Sequence, residues 1–328
     1  MTSRIAASLA LAVVVLSTPT AAFDANRVSI QVGFPPGASY DLLARSAGNQ
    51  LGQYLPGNPQ IIVENVDGAG GLRLLNLYLQ TGPRDGSAVI MISPSVPLDR
   101  VLAPETTTYD PQRFQYILAF GNAPTYCVTT AASGLDTFDK LITTPGVVMA
   151  SVGTSSTFYA AVAIERIFGA DFNIVTGFRG VAEVNLSLAR GEAHAFCGIS
   201  SSEFERMRAA FDMHVVAELA PERFGLVEGA EFILDRVQDP TTREALALIF
   251  FSNRVRFPVV AHPDTPPETV TILRDAFLAA ATDPAFIEDM DRLGIEISVT
   301  PGAEVQALVD QLYQTDPAIQ AAARALIQ

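Results

Sequence analysis

The stretch that decides the fold is residues 28–41, VSIQVGFPPGASYD. It begins as a short apolar run typical of a strand, continues through a glycine- and proline-rich loop, and opens into a leucine-patterned helix predicted over 40–54. Residues 61–71, IIVENVDGAGG, repeat this order before a helix predicted over 72–80. A strand–loop–helix unit points free backbone N–H groups and the positive end of a helix dipole at one spot. Two such units side by side predict a site for an anion such as a carboxylate.

We call residues 33–38 the first glycine loop and residues 66–71 the second glycine loop. The alternative interpretation is ordinary turn chemistry, in which glycine merely permits a positive φ. A dinucleotide-binding fingerprint is excluded for the second loop, because the position that needs the third glycine of G-x-G-x-x-G is Arg73. We therefore predict no cofactor.

Apolar strand-like runs alternate with helix-like runs along the chain, which indicates an α/β fold with mostly parallel sheets flanked by helices. The 328 residues suffice for two modest domains. Since no long linker separates them, ordered strands are expected to cross between the domains, near residues 121–129 and 256–262. In the C-terminal part of the chain, the same pattern predicts a strand over 295–299 and helices over 303–313 and 316–327.

Composition excludes several classes of partner. The formal net charge is −14 and the sequence pI is about 4.6, so no basic stripe is available for nucleic acid or for an anionic membrane surface. An anionic small molecule stays compatible, because salt screens the mean field within about 8 Å and local amides supply the binding energy.

The first 22 residues predict a secretory leader. Arg4 supplies the charged start, residues 5–16 are apolar but too short to span a bilayer, and small residues precede a cleavage site after Ala22. The alternative is an N-terminal membrane anchor. An exported chain meets an oxidising compartment, where Cys127 and Cys197 form either a disulfide or two buried thiols.

Two further loops precede predicted helices. Residues 151–157, SVGTSST, which we call the hydroxyl loop, are dense in hydroxyl groups that serve either as helix caps or as a polar wall of a cleft. In residues 176–180, TGFRG, Arg179 is either a carboxylate ligand or a solvated surface residue. The three histidines show no metal spacing, and neither G-x-S-x-G nor H-E-x-x-H occurs, so we predict no catalytic or metal site.

Read together, these segments resemble the periplasmic solute-binding receptors of tripartite tricarboxylate transporters. Residues 34–41, FPPGASYD, resemble the family's F-P-P-G-G-x-x-D, and residues 64–71, ENVDGAGG, resemble E-N-R-P-G-A-G-G. Residues 83–86, residues 109–111 with Phe114, and residues 178–180 resemble its P-D-G, Y-D-P…F and Y-K-G elements. The sequence departs from the family after residue 180 and over 203–256, which leaves the identity of the ligand open.

The resemblance implies a two-domain periplasmic binding protein of type II, or Venus flytrap, that closes on a small organic carboxylate and delivers it to membrane permease subunits. It implies a periplasmic monomer with residues 1–22 as signal peptide, residues 23–123 and about 224–328 as domain 1, and about 124–223 as domain 2. The ligand contacts it implies are Gly37, Ala38, Ser39, Asp41, Ala69, Gly70 and Ser93 from domain 1, and Gly153, Thr154, Ser155, Phe178 and Gly180 from domain 2. It also implies that Cys127 and Cys197 lie on neighbouring antiparallel strands, within about 4.4–6.8 Å between Cα atoms.

Two other classes of function compete with a receptor. A secreted hydrolase would use Ser39 or Ser155 as nucleophile and would need His194 or His262 beside it as base. A ligand-sensing domain would use the same fold without a transporter.

Overall fold

The structure is a computed structural model that describes residues 25–153 and 155–328, so the predicted leader and Thr154 lie outside the described residues. Its strands are β1 Arg27–Val32, β2 Gln60–Asn65, β3 Ala88–Met91, β4 Gln115–Gly121, β5 Thr125–Thr130, β6 Val147–Ala150, β7 Phe172–Val175, β8 Ala195–Ile199, β9 Met213–Leu219, β10 Glu231–Phe232, β11 Arg256–Ala261 and β12 Thr300–Pro301. Its α-helices are α1 Ser39–Tyr54, α2 Leu72–Thr81, α3 Val96–Leu102, α4 Phe138–Thr143, α5 Ser156–Phe168, α6 Val181–Ala189, α7 Ser201–Arg208, α8 Pro240–Ile249, α9 Pro267–Ala281, α10 Pro284–Leu293, α11 Gly302–Tyr313 and α12 Pro317–Ile327.

The strands form two six-stranded sheets. The first has the order β12-β4-β11-β3-β1-β2 and the second the order β10-β9-β5-β8-β6-β7. The expected two-domain α/β class is confirmed, but both sheets are mixed: β11 runs antiparallel to β3 and β4, and β5 runs antiparallel to β8 and β9. We call each sheet with the helices that pack on it a lobe.

The chain passes from the first sheet to the second over a short link. β4 ends at Gly121 and β5 begins at Thr125, so residues 122–124 join the sheets. The chain returns between β10, which pairs with β9 in the second sheet, and β11, which lies in the first. The segment from about residue 224, expected to belong to domain 1, therefore still contributes β10 to the second sheet.

Alternating burial builds the core of the first lobe. Val28, Ile30 and Val32 of β1 are fully buried, as the two-residue period of a strand demands of one face. Helix α1 covers them with an apolar stripe that includes Leu43 and Leu51. Burying each such side chain contributes about 1.5–3 kcal/mol, so this packing fixes the position of the loop between β1 and α1.

The C-terminal helix α12 joins the two lobes. It packs against α5 and α8 and also against α3, which follows β3 of the first sheet. Arg324 donates a hydrogen bond to the carbonyl of Val101 in α3 at 3.1 Å, and Arg166 of α5 donates to the carbonyl of Ala325 at 2.8 Å. One apolar core therefore continues from the first lobe to the second beneath helix α12.

A disulfide lies in the second sheet. Cys127 of β5 and Cys197 of β8 stand directly opposite each other in the antiparallel pair, and their sulfurs are bonded. Their Cα atoms are 3.9 Å apart, closer than the range expected from the sequence. Both residues are buried.

Candidate functional site: a cleft between the lobes

A cleft of about 350 Å³ separates the two lobes, and both contribute to its walls. Six residues expected as ligand contacts line it: Gly37, Ala38, Ser39, Ser93, Ser155 and Gly180. Five others lie elsewhere: Asp41, Ala69, Gly70, Gly153 and Phe178. Thr154, the remaining expected contact, lies outside the described residues.

The two glycine loops touch each other. A Cβ placed on Gly33 would lie 2.9 Å from the Cα of Gly71, a distance that no real side chain tolerates. Glycine at residue 33 is therefore required for the loops to come together. The pairing of β1 with β2 in parallel register brings the loops to the same edge of the sheet.

Asp41 fixes the first glycine loop from inside the protein. Its carboxylate accepts the N–H of Gly37 at 2.8 Å and binds Arg45 at 2.8–3.0 Å. Arg45 also donates to Asn65 at the end of β2, and Asn65 donates to the carbonyl of Phe34. Burial alone would raise the pKa of Asp41, but these hydrogen bonds hold it below its ordinary value. Asp41 thus positions the loop, and the Gly37 N–H is already used.

The free donors at this end of the cleft belong to the helix itself. Helix α1 starts at Ser39 without a side-chain cap, and its first N–H groups have no acceptor one turn back. Within the described residues, the N–H groups of Ser39 and Tyr40 donate to no protein atom. Both residues line the cleft, so the helix terminus offers two amides and its positive dipole to an anion there.

The second glycine loop meets the opposite lobe. A Cβ on Gly153 would lie 3.4 Å from the nitrogen of Gly70, and a Cβ on Gly70 would lie 3.8 Å from that of Ser155. Gly70 and Gly153 both have positive φ, at +63° and +55°. These loops therefore form a contact between the lobes beside the cleft, rather than part of its lining.

Hydroxyl groups of the hydroxyl loop bond mainly to their own loop. Ser155 donates to the carbonyl of Val152 at 2.7 Å, and Thr157 accepts the N–H of Val152 at 3.0 Å. Ser151 donates to the carbonyl of Gly153 at 3.1 Å. Ser155, Ser156 and Thr157 face the cleft at the start of α5, so this loop presents a second helix N-terminus to it.

The three residues of segment 178–180 lie in different environments. Gly180 lines the cleft, and a Cβ there would lie 3.8 Å from Pro35 of the first lobe. Phe178 packs against the apolar core of the second lobe instead. Arg179 is exposed and pairs with Glu183 four residues on, at 2.5 Å, which makes it a surface residue.

An aromatic cluster and four charged residues in the cleft were missed by the sequence analysis. The ring of Tyr40 stacks on Phe34 with centroids 4.1 Å apart and meets Phe257 edge-on at 4.7 Å. Burial raises the pKa of Tyr40, so its hydroxyl stays neutral. The charged lining residues are Glu203, Arg206, Arg256 and Glu296.

Three of these charges already have partners. Glu203 accepts from Asn185 at 2.9 Å, and both lie in the second lobe. Two contacts cross the cleft. Ser201 of α7 donates to Glu296 at 2.7 Å, and Arg206 donates to the carbonyl of Leu293 at 3.1 Å. The sequence did mark the start of helix α7, because the run from Ser200 to Glu203 has the S-x-x-E spacing of a capping box.

The histidines lie away from the cleft. His194 accepts the N–H of Val148 at 3.1 Å, and His262 accepts that of Asp264 at 3.1 Å; the cleft lining contains neither. The hydrolase alternative requires one of these histidines beside Ser39 or Ser155, and among the described residues neither ring lines the cleft with them. In residues 25–153 and 155–328, no group of three or more metal-ligating side chains is assembled. Within the same residues, no helix combines the length and apolarity needed to cross a membrane.

Two lobes enclose a cleft that residues of both line, and solved structures share this two-lobed fold. MatC from Rhodopseudomonas palustris with bound malate has a TM-score of 0.68 at 17% identity, covering 92% of this chain and 99% of that one. A second R. palustris protein, with adipate, has a TM-score of 0.70 at 18% identity, covering 90% and 97%.

Sequence comparison gives the family. Residues 42–323 match the model of the tripartite tricarboxylate transporter family receptor, and the chain belongs to this family. The "UPF0065 protein in tcbD-tcbE intergenic region" of Pseudomonas sp. (strain P51) is 23% identical over 315 residues, which cover 94% of this chain and 89% of that protein. The family inferred from the resemblance of these segments is thereby confirmed. It is a family of solute-binding receptors of transporters and not a class of enzyme.

Proposed function

We propose that this receptor binds a small organic carboxylate in the cleft between its lobes and delivers it to the membrane permease subunits of a tripartite transporter. One observation carries the choice of ligand: the uncapped start of α1 directs the free N–H groups of Ser39 and Tyr40 into the cleft. Charge-assisted hydrogen bonds to a carboxylate are about twice as strong as neutral ones, and a protein-lined cleft strengthens them further.

The related structures support the same class of ligand. One holds malate and the other adipate, and both ligands are small dicarboxylic acids. The cleft of about 350 Å³ has room for molecules of this size. Expected partners are the ligand and the permease subunits, and we propose a monomer located in the periplasm after cleavage of the leader following Ala22. The two lobes then correspond to the two domains.

A thermal-shift screen followed by calorimetry tests the ligand class. Purified protein is screened against malate, adipate, further mono-, di- and tricarboxylates, and the methyl ester of each. At least one acid should stabilise the protein, since a ligand at 100 times its dissociation constant adds about 2.7 kcal/mol to the free energy of unfolding. The fully esterified acid should give no shift. Equal shifts for an acid and its ester would refute binding through the carboxylate.

A further inference from the structure

Arg256 occupies the point where the crossing strand β11 enters the first sheet. It stands opposite Gly121 of β4, and a Cβ on Gly121 would lie 3.1 Å from the Cβ of Arg256. The absence of a side chain at Gly121 leaves space for that of Arg256. The Arg256 side chain lines the cleft together with Tyr40 and Phe257.

Among the described residues, the guanidinium of Arg256 has no anionic partner. Within residues 25–153 and 155–328, no carboxylate lies within 4.0 Å of it, and it donates no hydrogen bond to a protein acceptor. The other cleft arginine, Arg206, donates to backbone carbonyls at the end of α10. The cleft carboxylates of Glu203 and Glu296 attract Arg256 from a distance but are hydrogen-bonded elsewhere.

Partial burial makes this arrangement costly. Arg256 is partly buried, and desolvation lowers the pKa of its guanidinium, although an arginine stays charged at neutral pH. A charge withdrawn from water destabilises the protein unless a counter-charge or hydrogen-bond acceptor compensates. A ligand carboxylate in the cleft supplies both.

The neighbouring backbone holds Arg256 in place. Phe257 has φ +52°, a left-handed conformation that aromatic residues rarely adopt. Strain of this kind costs about 1–3 kcal/mol and persists where the surroundings impose it, often at binding sites. The Phe257 ring packs edge-on against Tyr40, and the guanidinium carbon of Arg256 lies 5.1 Å from its centroid. The ring thus supports the cation without neutralising it.

On the basis of the proposed function, we propose that Arg256 is a specificity-determining residue that binds a second carboxylate of the ligand. The start of α1 takes one carboxylate through amides, and Arg256 takes the other through its planar fork of N–H donors. The cleft therefore contains two separate anion sites, one formed by partial charges and one by a full charge. A dicarboxylate fills both and is preferred over a monocarboxylate of the same length.

The test measures binding of malate, adipate and their monomethyl esters to wild type and to Arg256→Gln by calorimetry. Wild type should bind the diacid more tightly than its monoester. Arg256→Gln should weaken diacid binding by about 10- to 100-fold, the factor expected for a hydrogen bond to a charged group, and should abolish the preference over the monoester. Arg256→Lys, which keeps the charge without the fork, should fall between the two.

Arg84→Gln is the matched control, because Arg84 is an exposed arginine of the first lobe that pairs with Asp264 outside the cleft. It should leave both affinities unchanged. A merely structural role for Arg256 predicts equal loss for diacid and monoester, and that result would overturn the inference, as would unchanged binding. With equal loss for both ligands, or with unchanged binding, the wild-type protein still binds an acid, so the proposed function stands. If wild type binds neither acid nor any other in the screen, both proposals fail.

Discussion

Asp99 should make the stability of this protein depend on pH in an unusual direction. Its carboxyl is buried on α3, and no cation of residues 25–153 or 155–328 lies within 4.0 Å of it. It accepts hydrogen bonds from Tyr109 at 2.5 Å and from Tyr159, across the lobes, at 3.2 Å. Desolvation raises the pKa of Asp99 to about 6, although the two tyrosines act to lower it.

The sign follows from proton binding. Between pH 4 and 6 the unfolded chain loses the Asp99 proton while the folded protein keeps it. The stability that the protonated group contributes is complete below its ordinary pKa of 3.8 and is lost as the pH rises through about 6. The difference between the pKa values of 3.8 and about 6 changes the free energy of unfolding by about 3 kcal/mol, because one pKa unit is equivalent to about 1.4 kcal/mol.

Asp99→Asn removes the titration while keeping the shape of the side chain. Urea unfolding at pH 4, 5, 6 and 7 should show similar free energies of unfolding for variant and wild type at pH 4. By pH 7 the variant should be more stable than wild type by up to about 3 kcal/mol. Asp275→Asn, at an exposed position of α9, is the control and should follow wild type throughout. A difference between Asp99→Asn and wild type that is constant from pH 4 to 7 would refute the reasoning.

Three further predictions concern the disulfide, the contact between the lobes and the leader. Replacing Cys127 and Cys197 by serine should lower the free energy of unfolding by about 2–4 kcal/mol, since the bond spans 70 residues; equal urea midpoints would contradict this. Gly70→Val should weaken ligand binding in calorimetry, because the side chain would press on the opposite lobe, whereas Gly57→Val, also at positive φ but with open space around it, should bind normally. Intact mass of exported protein should correspond to cleavage after Ala22, and retention of the leader would exclude it.

The sequence predicted the parts of the fold that local patterns encode. The two strand–loop–helix units appear where expected, with α1 starting at Ser39. Gly294 ends α10 with φ +62°, the left-handed conformation that glycine commonly supplies after a helix. The strand predicted over 295–299 is irregular in the structure, and pairing begins at β12. Its alternating apolar residues mimic a strand, but Ser298 makes a backbone hydrogen bond to Phe120 without forming a ladder.

The parts of the cleft that lie in a local sequence motif could be predicted, whereas the parts that distant segments assemble could not. The ion pair of Asp41 with Arg45 follows from their i,i+4 spacing along α1, whereas a contact of Asp41 with the ligand stays a prediction. Glu203, Arg256 and Glu296 come from three distant segments that the fold brings together. No local pattern marks such a set, because their proximity depends on which strands cross between the lobes.

The attachment of α12 to both lobes sets the direction in which the protein can open. Its hydrogen bonds to α3 and α5 lie on one side of the molecule, while the contacts of Gly70 with Gly153 and of Arg206 with Leu293 border the cleft. Separating the lobes at the cleft breaks the hydrogen bonds of Ser201 to Glu296 and of Arg206 to Leu293, whereas separating them at α12 exposes a continuous apolar core. We therefore expect the lobes to stay joined at the C-terminal helix and to separate at the cleft when solute enters.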